Sequence, residues 1–177
     1  MIKKDITDLM TQNHQTFIQT LADLSETDFE QVPKGKWCAG QQLDHIIKSV
    51  KPVNRAFGIP KYVLAEKFGK AKRPSRTYKV LVTDYLKTLE ENPNYILTKD
   101  FAPEKIDAKN RNEQLDYLRS LIQHLNEGIA MYSEEELDSY MLPHPVMGKF
   151  TLRELLYFTM YHVKHHEKQI HKNLEQY

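Results

Sequence analysis

Apolar residues recur at a helical spacing in four long stretches of the chain, and this periodicity restricts the fold more than any other feature. A period near 3.6 residues places such residues on one face of an α-helix, about 100° apart around its axis. The stretches begin near Ile6, Gly40, Leu115 and Thr151. Four amphipathic helices of roughly 17 to 24 residues can bury their apolar faces together in a bundle. The sequence therefore predicts an all-α fold.

Length and composition favour one helical domain. A chain of 177 residues fits one domain with a hydrophobic core and is short for two. Its 6 Gly and 8 Pro fall below the average of about 12% for these two residues together, so few tight turns are expected. We interpret residues 1–177 as a single four-helix-bundle domain.

Charge and hydropathy argue against several classes of function. The 25 Lys and Arg residues nearly balance the 24 Asp and Glu residues, so the net charge does not favour a nucleic-acid partner. No apolar run approaches the roughly 20 residues that cross a bilayer, and the N-terminus lacks the apolar segment of a signal peptide. The single cysteine, Cys38, excludes an intramolecular disulfide. We expect a cytoplasmic protein with no membrane partner.

The segments between the predicted long helices carry weaker signals. Residues 58–79 hold a run of basic residues and have no sustained period, so we interpret them as a surface connection containing at most a short helix. Aromatic residues within the basic run at 61–79 leave a nucleic-acid binder as a less favoured hypothesis. A helical stretch at residues 81–89 precedes a long crossover to about residue 109. We predict a turn at residues 33–36 and a loop at residues 143–148.

The last predicted helix holds three closely spaced histidines, His162, His165 and His166. On a helical wheel His162 and His166 fall within the apolar stripe, whereas His165 lies outside it and should point to solvent or to the flank of the bundle. Residues at positions i and i+4 share one helical face, so two imidazoles there can bind a single metal ion. The alternative is that each histidine is satisfied by hydrogen bonds in the core. Spacing alone does not decide between them.

Three segments resemble motifs of the DinB-like superfamily, also called the DinB/YfiT family. Residues 37–45 resemble its tryptophan segment, which leads to a histidine on helix two. Residues 144–154 resemble the loop and cap that enter its last helix, and His162-x3-His166-x2-Gln169 is similar to its terminal histidine motif. The resemblance implies an up-down-down-up bundle with a long connection between helices two and three, often as a homodimer. It also implies that His45, His162 and His166 bind one divalent transition metal, with zinc or nickel expected.

The assignment of His45 as a ligand rests on this resemblance, because on our helical wheel it lies off the main apolar stripe of its helix. The family commonly has a hydroxyl residue at the position of Cys38, so the cysteine is expected to cap its helix more weakly and to be a small buried residue. Gln169 is a candidate to orient a metal ligand, and an equally good one for helix packing. His144 could overhang the pocket from its loop, but an ordinary loop residue is the favoured interpretation. Tyr161 is expected to lie at the surface or in an interface. Three histidines are expected to be solvated or peripheral: His14, His124 and His171.

A site of three neutral imidazoles leaves a metal ion its full charge and an open coordination position. Such an ion can activate water for hydrolysis, or it can stabilise a thiolate for transfer to an electrophile. The resemblance favours thiol transfer, since relatives with known activity include transferases that use bacillithiol or mycothiol. We therefore predict a metal-dependent thiol S-transferase or hydrolase acting on a small molecule. The alternative is a non-catalytic helical interaction module with a structural or vestigial histidine site.

Overall fold

The computed structural model describes residues 1–32 and 35–175, and over these ranges the chain is mostly helical, as the apolar periodicity predicts. Pro33 and Lys34 of the predicted turn lie outside the described residues. The helices are α1 (Lys3–Asp23), α2 (Glu26–Glu30), α3 (Ala39–Phe57), α4 (Lys61–Phe68), α5 (Tyr78–Glu91), α6 (Arg111–Ala130), α7 (Glu134–Ser139) and α8 (Leu152–Leu174). The four longest, α1, α3, α6 and α8, coincide with the four predicted stripes.

The long helices bury their apolar faces against one another. Helix α1 packs against α6 and α8, and α3 packs against the same two helices. Their buried apolar residues form one continuous core. None of the helices that the structure describes has both the length and the apolar character needed to cross a lipid bilayer.

Side-chain caps define where the helices near the site begin. At α8 the Thr151 hydroxyl accepts the Glu154 amide at 3.2 Å, and the Glu154 carboxylate accepts the Thr151 amide at 3.0 Å, which confirms the predicted capping box. At α3 the Cys38 sulfur accepts the Gln41 amide at 3.4 Å. Sulfur is a weak acceptor, but Cys38 does occupy the cap position, and it is buried as predicted.

The prediction of a loop at residues 143–148 is partly wrong, because both ends of this segment belong to the strands of a β-hairpin. Strand β1 (Met141–His144) pairs antiparallel with β2 (Gly148–Thr151), and His144 lies opposite Gly148. Gly148 has a φ of +75°, a conformation that glycine adopts without steric cost. Strands of four residues are too short to show a clear alternating pattern in the sequence. The hairpin places His144 beside the start of α8.

The long crossover between α5 and α6 lies against the start of α3. A Cβ atom on Gly40 would come within 2.7 Å of the Ile106 carbonyl oxygen, so only glycine lets the two backbones approach this closely. The crossover ends in a short 3-10 helix (Ala108–Asn110). This contact holds the preceding part of the crossover, which includes Phe101, over the face of α3 that carries His45.

Candidate metal centre

The structure brings together the three histidines that the resemblance implies as ligands. His45 comes from the middle of α3, and His162 and His166 lie one turn apart on α8. The Nε2 atom of His162 is 3.3 Å from Nε2 of His45 and 2.9 Å from Nε2 of His166. One nitrogen from each ring lies within 4.8 Å of the other two. That the cluster binds a metal remains a prediction.

His45 is buried, although the helical wheel placed it off the apolar stripe of α3. Its side chain is only 5% exposed. The wheel identified the face of α3 that packs in the main core, but α3 contacts both α6 and α8, and the crossover lies close to His45 as well. A helix that is covered on two sides buries residues outside its main stripe.

Hydrogen bonds on the outer side of two rings fix which nitrogen faces the cluster. The Nδ1–H group of His45 donates to the Phe101 carbonyl oxygen at 2.8 Å, and that of His166 donates to the Gln42 side-chain oxygen. Since both oxygens can only accept, the proton lies on Nδ1 and the lone pair lies on Nε2. Partners of this kind orient histidine ligands at metal sites and increase their basicity.

Burial keeps the cluster neutral. It is the largest cause lowering the pKa of His45, and it lowers the pKa values of His162 and His166 well below their usual range. Nearby histidines lower the pKa values of His162 and His166 further, because a second positive charge is unfavourable there. The hydrogen bond to Phe101 opposes this effect only in part at His45. Neutral imidazoles are the form that binds metal ions.

Aromatic rings hold the histidines from the side. Trp37 stacks parallel to His166, with ring centroids 6.0 Å apart, and Phe158 stacks on His162 at 4.7 Å. Trp37 also lies 5.0 Å from the His45 ring. These contacts restrict the rotation of all three rings and exclude water from part of the cluster.

The cluster forms part of the wall of a cavity of about 840 Å³. Helices α3, α5 and α8, the crossover and the hairpin all contribute to its lining. Most lining side chains near the histidines are aromatic or aliphatic, among them Trp37, Tyr85, Phe101 and Phe158. A volume of this size is typical of sites for small organic molecules.

The donor set fits a divalent transition metal. Zinc–nitrogen bonds of about 2.0–2.1 Å in a tetrahedral site place neighbouring nitrogens roughly 3.3 Å apart. The observed separations of 2.9 and 3.3 Å are close to this value. Imidazole ligands suit zinc and nickel in particular. The three histidines would hold the ion, and their position on the cavity wall would give a small molecule access to it.

Gln42 is a functional residue that the sequence reasoning missed. Gln169 lines the cavity, but it is Gln42 that accepts the hydrogen bond from His166. The sequence could have indicated Gln42, because it lies three residues before His45 and the two side chains therefore share one face of α3. The crossover carbonyl of Phe101 leaves no such signal, because any residue supplies the same carbonyl group.

Two favoured interpretations of histidines outside the cluster are wrong. His144 is not an ordinary loop residue: it lies on β1 and lines the cavity, as its alternative interpretation states. His14 was expected to be solvated or peripheral, but it is 1% exposed, because α1 packs against both α6 and α8. His124 and His171 are exposed, as predicted.

Two residues of α8 beside the cluster lie close to their predicted positions. His165 is partly exposed on the flank, where it borders the cavity and packs against Tyr85 at 6.0 Å. Tyr161 is partly exposed at the surface.

Comparison with known proteins supports the family assignment. A model of the DinB superfamily matches residues 9–170, which is most of the chain and includes all three histidines of the cluster. A search of curated proteins found no match. The chain belongs to the DinB superfamily.

Proposed function

We propose that this protein is a metal-dependent enzyme that holds one divalent transition metal, zinc or nickel, on His45, His162 and His166. Its substrate is a small molecule bound in the adjoining cavity. The observation that carries the proposal is the convergence of three buried Nε2 atoms on the wall of a cavity of about 840 Å³. A histidine site without a ligand-binding role has no need of such a cavity.

A bound ion would act as a Lewis acid that lowers the pKa of a thiol or water molecule in its open position. The protein's own residues prepare the site for this chemistry. Phe101 and Gln42 hold the Nδ1 protons of two histidines, so their Nε2 lone pairs face the cluster. Trp37 and Phe158 keep the rings in place and provide apolar surface for the substrate.

We favour thiol S-transfer over hydrolysis. None of the described residues that line the cavity is acidic, and Arg55 among them is a cation. A cation at the cavity favours a small thiol that carries a carboxylate. Hydrolysis of a small molecule at the same site is the second form of the proposal.

The wider features of the proposal rest on family membership. They are a single domain over residues 1–177, an up-down-down-up order of α1, α3, α6 and α8, a homodimer, and a cytoplasmic location. The packing of α1 and α3 each against α6 and α8 is compatible with such a bundle.

Elemental analysis of untagged protein tests the metal site. We expect about one transition metal ion per chain, and His162→Ala or His166→Ala should remove it. His171→Ala is the matched control, because His171 is an exposed histidine on the same helix. Unchanged metal content in both cluster variants would refute the site.

An activity assay separates an enzyme from an interaction module. The metal-loaded protein is incubated with low-molecular-weight thiols and 1-chloro-2,4-dinitrobenzene, and separately with 4-nitrophenyl acetate. We expect turnover in the thiol assay that is lost in His162→Ala and kept in His171→Ala. Stoichiometric metal with no turnover in either assay would instead support a structural site.

A further inference from the structure

We propose that His144 is a substrate-binding residue, which donates a hydrogen bond from its Nε2–H group to a carbonyl oxygen on an apolar substrate in the cavity. This inference rests on the proposed function, because it names the class of the molecule that the thiol, or in the second form water, would attack. It also assigns a specificity role to the hairpin that precedes α8.

The hairpin turn fixes the tautomer of His144. The backbone amides of Val146 and Met147 both donate to its Nδ1 atom, at 3.3 and 3.2 Å. Two donors require a lone pair on Nδ1, so the proton of the neutral ring lies on Nε2. A doubly protonated ring would direct an N–H group at both amides and lose these bonds. The turn therefore makes His144 a neutral donor with one available N–H group.

The electrostatic surroundings agree with this geometry. Burial is the largest cause lowering the pKa of His144 to about 4, and the Arg76 cation contributes further. Arg76 itself lies over the Phe150 ring, 5.0 Å from its centroid. His144 therefore stays uncharged at neutral pH, where it donates to a neutral acceptor without requiring a counter-ion.

The available N–H group belongs to a side chain that lines the cavity. Nδ1 is directed at the turn, so Nε2, on the other side of Cε1, is directed away from it. Within residues 1–32 and 35–175, no hydrogen-bond acceptor pairs with Nε2 of His144. A donor at the edge of an apolar cavity costs free energy unless a ligand or water accepts from it. A carbonyl oxygen on an apolar molecule would satisfy this donor while its body fills the cavity.

The position of His144 relative to the metal centre sets the size of that molecule. Phe158 separates the two sites, since its ring lies 4.4 Å from His144 and 4.7 Å from His162. His144 packs face to face with Phe150 at 4.7 Å, so its ring is held from two sides. The carbonyl oxygen would therefore bind about one aromatic ring away from the histidine cluster. His144 orients the substrate, and the reacting atom is a different one.

The tautomer is tested by long-range 15N–1H NMR of the full-length protein at pH 7. We expect His144 to show an unprotonated Nδ1 and a protonated Nε2. An Nδ1-protonated ring or an imidazolium would overturn the proposal, because neither has the arrangement that the turn requires.

Ligand recognition is tested with acetophenone and ethylbenzene, which are similar in size and differ in the carbonyl oxygen. Binding is measured by NMR titration in EDTA, so that no metal contributes to carbonyl binding. The preference for acetophenone over ethylbenzene should fall about threefold to tenfold in His144→Phe, which keeps an aromatic ring between Phe150 and Phe158. His124→Phe is the matched control at an exposed position, and its preference should equal that of the wild type.

An unchanged preference in folded His144→Phe would overturn the proposal. If this variant fails to fold, the wild-type Nε2 resonance decides: acetophenone should shift it more than ethylbenzene does, and equal shifts would overturn the proposal. Because these measurements exclude metal, their failure is distinct from failure of the metal centre, which the elemental analysis tests.

Discussion

The Nε2 atoms of His162 and His166 lie 2.9 Å apart, although the hydrogen bond to Gln42 places the proton of His166 on its other nitrogen. The lone pair of His166 therefore faces His162. Without a metal, the neutral His162 ring can donate an Nε2–H group to that lone pair. A divalent metal would take the place of this proton and use the lone pairs of all three histidines, including that of His45.

The role of Gln42 gives the first prediction. Gln42→Leu removes the acceptor for the His166 Nδ1–H group while keeping a side chain of similar size. Loss of such a partner lowers metal affinity about 10- to 100-fold, which competition with a chromophoric zinc chelator measures. Gln169→Leu is the control, because Gln169 also lines the cavity. Equal zinc affinity in the two variants would show that Gln42 does not orient the ligand.

Much of the fold and part of the site follow from local sequence patterns. The four long helices are predictable because their apolar stripes extend over several turns. His162 and His166 are predictable as a pair because both their spacing and their burial are properties of one helix. The boundary at Thr151 is predictable because the capping box involves residues only three positions apart.

The rest of the site depends on contacts between elements that are distant in the sequence. His45 needs the packing of α3 against α8 and the crossover, and no wheel of a single helix contains that information. The burial of His14 likewise requires the neighbours of α1. His144 becomes a cavity residue only when its hairpin folds beside α8. In each case the packing of distant elements buries a histidine, and the neighbouring residues in the sequence do not indicate whether that histidine is buried or exposed.

His14 should make stability depend on pH. Its Nδ1–H group donates to the Met10 carbonyl oxygen at 2.8 Å, and its buried Nε2 atom has no partner among the described residues. Burial lowers the pKa of His14 from 6.5 to about 4, so the unfolded chain binds this proton more readily. The contribution of His14 to stability is therefore complete above pH 6.5 and is lost as the pH falls towards 4.

Urea denaturation of His14→Leu and the wild type between pH 7 and pH 4 measures this effect. The wild type should lose more stability than the variant, by up to about 3 kcal/mol for a pKa shift of this size. His124→Leu, at an exposed position, should follow the wild type. The same pH dependence in His14→Leu and the wild type would contradict the prediction.

Zinc should stabilise the folded protein. A ligand that binds only the native state at about 100 times its Kd adds roughly 2.7 kcal/mol to the free energy of unfolding. For a domain of this size that corresponds to a rise in Tm of roughly 5 to 10 °C. Thermal unfolding with zinc and with EDTA measures the rise, which His171→Ala should retain. A rise of the same size in His162→Ala would mean that zinc binds elsewhere.

The carboxylate of Glu154 should anchor the hairpin and the start of α5. It is buried and accepts hydrogen bonds from Arg73 at 2.6 and 2.8 Å and from the Arg76 backbone amide at 2.7 Å. Burial alone would raise the pKa of Glu154, but the bonds from Arg73 and Arg76 outweigh it and lower the pKa to about 2. The stabilising contribution is therefore present above about pH 4.5 and is lost as the pH falls to 2.

Glu154→Gln should destabilise the protein by about 3 kcal/mol at pH 7, because it leaves two guanidinium groups without their buried partner. Its stability should also change less than that of the wild type between pH 4.5 and pH 2. Asp84→Asn breaks a more exposed ion pair to the same Arg76 and should cost less than about 1 kcal/mol. Urea denaturation compares the three proteins, and equal losses of stability in the two variants would show that the buried carboxylate stabilises the fold no more than an exposed one does.

Glu154 should also affect ligand binding, because it holds Arg76, which lies just before the helix that carries Tyr85 into the cavity. Glu154→Gln should therefore weaken acetophenone binding in the NMR titration, whereas Asp84→Asn should leave it unchanged.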